Sequence, residues 1–203
     1  MRFLSHTLGI LINPDKEWKS IRADKHSFVQ VFLSHVPILA LIPCVSLYFG
    51  VTRVGFTIGT NTAKLTEGSA LSLAIVTYVA ILVGVYLFGE FINWMARTYA
   101  VEGDEATRHY EGTALAVFVT TPIFLVGFIG LYPDLWLNVA VHMLAACYSI
   151  YLIYEGIPIL MNLNKERSFM YATSVVTVGL VLLVTVRIGT VILWFIGVEP
   201  VYQ

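Results

Sequence analysis

The stretch Leu71–Tyr99, LSLAIVTYVAILVGVYLFGEFINWMARTY, constrains this chain more than any other. It is longer than the about 20 apolar residues a helix needs to cross a bilayer. Yet it carries a carboxylate, Glu90, and an amide, Asn93, inside the apolar run. Tyr86, Glu90, Asn93 and Arg97 recur at i, i+4, i+7 and i+11, so they share one helix face. An ionisable group within a span costs roughly 2.5–3.5 kcal/mol on insertion scales and is a functional candidate by default. Two roles are open to Glu90. It can serve chemistry, or a protonated or hydrogen-bonded carboxyl can simply tie its helix to a neighbour.

The rest of the chain has the same character. Of 203 residues, 58% are hydrophobic and only 12% charged, more apolar surface than a soluble domain of this length can hide. The expected fold is an all-α polytopic membrane bundle of five transmembrane helices, preceded by short interfacial N-terminal helices. The net charge of −1 leaves no electrostatic footprint for nucleic acid. Cys44 and Cys147 both lie in apolar runs, without CxxC or Cys/His spacing, and read as packing residues. The sequence names no cofactor and leaves metal binding open. No cleavable signal peptide is visible, because Asn13 and Pro14 follow a short, broken apolar start.

Residues 1–27 form a lead-in of two amphipathic helices, and 28–203 a five-span domain. In the first helix Leu4, Leu8, Leu11 and Ile12 line one side. The second is opened by Asn13 as cap, Pro14 in the first turn and Asp15 at the positive end of the dipole. Trp18 and Ile21 share a face, and Lys16, Lys19, Arg22 and Lys25 supply positive charge. Basic residues beside a Trp anchor suit the surface of an anionic leaflet; an ordinary lead-in packed on the bundle is the alternative.

The spans are expected at about 28–49, 71–99, 113–131, 136–161 and 169–196. Pro37 and Pro43 interrupt the first, and neighbouring helices must absorb the kinks. VEGDEATRHYEG, between spans 2 and 3, reads as a polar link. Trp136 and Trp194 would mark one interface, Trp18 and Trp94 the other. Arg2, Lys16, Lys19, Arg22, Lys25, Arg97, Arg108, Lys165 and Arg167 gather on one side of this topology, and only Arg53 and Lys64 on the other. The positive-inside rule then puts the N-terminus in the cytoplasm and the C-terminus outside.

At 1.5 Å per residue, Glu90, Glu155 and His35 each lie about 9–10 Å from the cytoplasmic ends of their spans. Glu90, Asn93, Glu155, His35 and Tyr86 thus form a candidate intramembrane polar site for a proton, a cation or a lipid headgroup. Whether they face one cavity, or each satisfies its own surroundings, is left open by depth alone. Arg187 and His142 form a second polar layer. Arg187 is about 13 Å from the span end, too deep for easy snorkelling, so it should face protein or a water pocket. His142 reads as a hydrogen-bonded packing residue. No Walker loop, GxSxG, HExxH or GxGxxG in context is present, and no catalytic residue is assigned.

TTPIFLVGFIGLYPDLW (120–136), YSIYLIYEGIPILMN (148–162), TVILWFIGVEPVY (190–202) and the lead-in NPDKEWKSI (13–21) resemble the bacterial branch of the Yip family, the Ypt-GTPase-interacting membrane proteins. The resemblance implies five membrane helices, a cytoplasmic N-terminus and, for this branch, the bacterial inner membrane. Eukaryotic members are tied to Rab-type GTPases through an early DLYGP-like motif. This chain lacks it, so the resemblance does not by itself assign GTPase binding. The readings that remain are a non-enzymatic membrane-organising or lipid-interacting protein, a small proton- or cation-coupled transporter or channel, and an enzyme on a lipid-linked substrate. The corresponding partners are membrane lipids, a proton or cation, and further copies of the chain.

Overall fold

The computed structural model describes residues 2–23, 27–58, 61–99, 105–132, 134–198 and 201–202. Two short helices come first, α1 (Arg2–Ile12) and α2 (Pro14–Ala23). The Asn13 side chain accepts from the Lys16 amide at 3.4 Å, as a cap before Pro14 should. Five long helices follow: α3 (Phe28–Phe49), α4 (Glu67–Thr98), α5 (Glu105–Leu125), α6 (Leu135–Leu160) and α7 (Lys165–Val198). All five are long and apolar enough to cross a membrane. A π-helical turn, Gly50–Val54, extends α3, and a 3-10 stretch, Val126–Leu131, extends α5. Between α3 and α4 lies a small hairpin of β1 (Phe56–Ile58) and β2 (Asn61–Ala63).

The helices run past the expected span ends, for local reasons. α7 starts at Lys165 because Asn164 caps it, accepting from the Arg167 amide at 3.0 Å. α6 starts on Asp134, which accepts from Leu137 at 2.7 Å. The last eight residues of the expected polar link form about the first two turns of α5. Glu105 stands at the positive end of its dipole, and α4 supplies partners for its polar side chains. α3 holds both prolines without a break. Gly127 makes room for Pro43: a methyl group there would lie 2.7 Å from the proline ring.

α5 is the central helix, with α3, α4 and α6 around it; α7 leans chiefly on α4 and closes against α6. Helices α4, α5, α6 and α7 therefore form a ring. α1 and α2 lie across one end of the bundle, on α3, α5 and α6. At the opposite end Trp194 packs with Val51, Leu65, Ala70 and Leu73 and donates its indole N–H to the Ser69 carbonyl at 3.1 Å. The C-terminal tail is tied to the same place: Thr66 N–H donates to the Val201 carbonyl at 3.0 Å.

The expected aromatic belt is only half present. Trp94 and Trp136 point outward, 63% and 78% exposed, whereas Trp18 and Trp194 are interior side chains. Cys44 is buried, but Cys147 is exposed rather than packed.

Candidate intramembrane site

The polar face of α4 turns toward α5 and α3. Glu90 Oε1 lies 2.7 Å from His109 Nε2, and Arg97 donates to Glu105 at 2.7 Å. Asn93 lies against Gly112, the residue that leaves room for its amide. Glu105, His109 and Gly112 recur at i, i+4 and i+7, the spacing of Glu90, Asn93 and Arg97 reversed, as antiparallel neighbours require. The Asn93 amide is buried and makes no hydrogen bond among the described residues. Tyr86, at the deeper end of this face, sets its ring edge-on to Phe32 of α3 with centroids 6.3 Å apart.

The other members of the expected polar layer have separate surroundings. His35 is buried against Phe118, ring centroids 4.9 Å apart, and its Nε2 is 3.2 Å from Thr121 Oγ1. Glu155 is half-buried on α6, with no hydrogen-bond or ion-pair partner among the described residues. Equal depth did not give equal direction. α5 stands between α4 and α6, and it takes up Glu90 and His35 on different turns.

Trp18 is not a surface anchor. It is fully buried, edge-on to Phe118 with centroids 6.3 Å apart, and it fits because residue 156 is glycine: a methyl group there would lie 2.8 Å from both the indole and Leu115. Arg22 reaches the Ile159 carbonyl of α6 at 3.0 Å, and Lys19 lies 3.5 Å from Asp15. Lys16 is exposed; Lys25 lies outside the described residues. The lead-in thus packs on the bundle through Trp18 and Ile21. His6 and Glu17, which the sequence reading passed over, pair beneath it. Their spacing of 11 residues across the Asn13–Pro14 corner is the signal that could have found them.

The two members of the second layer part company. His142 Nδ1 bonds the Asn138 carbonyl one turn back at 2.9 Å. Arg187 lines a cavity of about 310 Å³ walled by α4, α5, α6 and α7, with Pro43 and Leu47 of α3. Its walls are apolar, with Leu73, Phe88, Ile123, Ile153 and Leu183 among them. Their polar exceptions are Arg187, Ser149, Thr77, Thr120 and Thr190. The three threonines donate to carbonyls of their own helices. Ser149 Oγ is buried and unpartnered among the described residues. Glu90, His35 and Glu155 are not walls of this cavity.

Fold and site together define a polytopic membrane protein with polar groups tied between its helices and an apolar cavity among them. The Yip1 domain matches residues 8–186, and the chain belongs to the Yip1 family. It is similar to the inner membrane protein YohC of Escherichia coli strain K12, with 35% identity over 195 residues, 96% of this chain and 98% of YohC. YohC of Escherichia coli O6:H1 strain CFT073 matches to the same extent. No solved structure matches. The family and the five-helix all-α fold expected from the sequence are therefore those found.

Proposed function

We propose that this chain is a non-enzymatic, lipid-interacting protein of the bacterial inner membrane that seats a lipid chain in the cavity within the α4–α5–α6–α7 ring. The observation that carries this reading is the cavity itself. Its volume falls in the range of ligand pockets, about 300–1,000 Å³, and its lining is almost wholly aliphatic and aromatic. Its hydroxyls are spent on their own helices or isolated, so the walls offer no nucleophile–base pair. The lead-in supports the same reading from outside: Leu8 and Ile12 are exposed beside the exposed Lys16, Lys19 and Arg22. The proposal includes the orientation with the N-terminus cytoplasmic and the C-terminus periplasmic, supported by the grouping of Lys and Arg at the end that carries the lead-in.

Ala146 is a cavity wall on α6, and Ala146→Phe places a ring in the space. Protein purified in a neutral detergent should carry bound lipid, read by mass spectrometry after extraction, and Ala146→Phe should lose most of it while staying helical and monodisperse. Equal lipid in both proteins, or none in the wild type, would overturn the reading.

A further inference from the structure

We infer that the cavity takes a single-chain amphiphile with an oxyanion head, the chain held by the apolar walls and the head by Arg187. This rests on the lipid reading and names the ligand class for the same cavity.

Arg187 stands 11 residues before Val198, the end of α7, or about 16 Å along the axis. Side chains on a helix lean toward its N-terminus. α7 begins at the end of the bundle that carries the lead-in, so Arg187 leans inward, away from the nearer helix end. Snorkelling outward would work against that lean. Arg187 borders the cavity, is exposed rather than buried within the protein, and makes no hydrogen bond or ion pair among the described residues. The titratable groups close enough to sense it are Cys44 of α3 and His142 of α6, and neither supplies a negative charge. A cation this deep in a membrane span without a counter-charge is costly, and an anion from outside the chain would remove the cost. The planar fork of arginine fits a carboxylate or phosphate through two parallel hydrogen bonds. Ser149, from the α6 wall, brings the second observation: a side chain 94% buried whose hydroxyl is unpartnered among the described residues and which lines the same cavity. It is free to donate to a ligand.

Two sources share this chemistry, a fatty carboxylate and a lysophospholipid phosphate, so both are probes. Binding of palmitate, palmitoyl-lysophosphatidate, hexadecanol and acetate to the full-length protein in neutral detergent would be measured by equilibrium dialysis, for wild type, Arg187→Gln, Arg187→Lys and Ser149→Ala. At least one acidic amphiphile should bind about tenfold or more tightly than hexadecanol, and which one does identifies the head. Arg187→Gln should remove that preference, bringing the acids down to the level of hexadecanol. Arg187→Lys should restore part of it, and Ser149→Ala should weaken the acid alone. Hexadecanol binding as tightly as both acids, acetate competing as well as palmitate, or an unchanged preference in Arg187→Gln would each overturn the inference and leave the lipid reading standing. Failure of every chain-bearing probe to bind would sink both.

Discussion

Replacing Trp18 should detach the lead-in without unfolding the membrane bundle. Three of the hydrogen bonds that tie α1 and α2 down are Tyr110 to the Ile21 carbonyl at 2.8 Å, Arg22 to Ile159 at 3.0 Å, and Tyr148 to the Leu11 carbonyl at 3.0 Å. Each is worth about 0.5–1.5 kcal/mol net. Truncating a fully buried aromatic to alanine costs about 3–5 kcal/mol, as much as the three together. Part of that cost is offset, because the indole N–H is buried and unpaired among the described residues, a penalty of about 1–3 kcal/mol that truncation removes. The net expectation for Trp18→Ala is about 2–3 kcal/mol. Trp18→Phe keeps a ring against Phe118 and Gly156 and sheds the orphan donor, so its loss should stay within about 1 kcal/mol.

Hydrogen exchange reads this directly. At 1.4 kcal/mol per factor of ten, the amides of α2 should exchange about 30–150-fold faster in Trp18→Ala. Those of α5 and α6 at membrane depth should be unchanged, and Trp18→Phe should stay near wild type. Unchanged α2 protection in Trp18→Ala would refute the reasoning, since the lead-in would then be held by something other than this side chain. A loss in Trp18→Phe equal to that in Trp18→Ala would refute the part assigned to the unpaired N–H.

Glu90 and His109 should couple by about 0.6 kcal/mol, and at most about 1.7, in a double-mutant cycle of Glu90→Gln and His109→Ala. Glu90→Gln should leave bound lipid untouched, because Glu90 is not a cavity wall; loss of proton or cation flux in proteoliposomes of this variant would instead favour the transport reading. Alkaline phosphatase fused after Gln203 should be active in cells if the C-terminus is periplasmic, and inactivity there would reverse the orientation.

The count and order of spans were legible because a membrane helix leaves a one-dimensional trace, apolar length bounded by charge. The caps at Asn13 and Pro14 were legible for the same local reason. Direction around the bundle axis was not. Glu90 and Asn93 were found as a polar face, but their neighbours His109 and Gly112 sat in what read as a loop. Glu105 and His109, two of the polar groups that made the segment look like a link, pair back onto α4. Trp18 shows the opposite failure. A Trp among lysines fits a membrane surface by composition, and only the absence of a side chain at Gly156, 138 positions later, admits it to the interior. The cavity had no trace at all, since it is a property of how the helices fail to fill the space between them.

That failure has a position, and the position follows from where the bundle is fastened. At one end Trp18 and Ile21 fill the junction of α2, α5 and α6, and α5 carries the pairings with α4. At the other end Trp194 and the C-terminal tail hold α7 to Ser69 and Thr66 at the start of α4. Between these fastenings the facing residues of α4 and α7 include Gly84 and Gly179, which bring no side chain to the middle of the ring. A helix pinned at both ends and lined by small residues at its centre lies close to its neighbour without filling the space behind it. The one long polar side chain of α7 that borders this space is Arg187. Between these two fastenings lie an open volume and a cation at its edge, the combination the proposed acidic amphiphile requires.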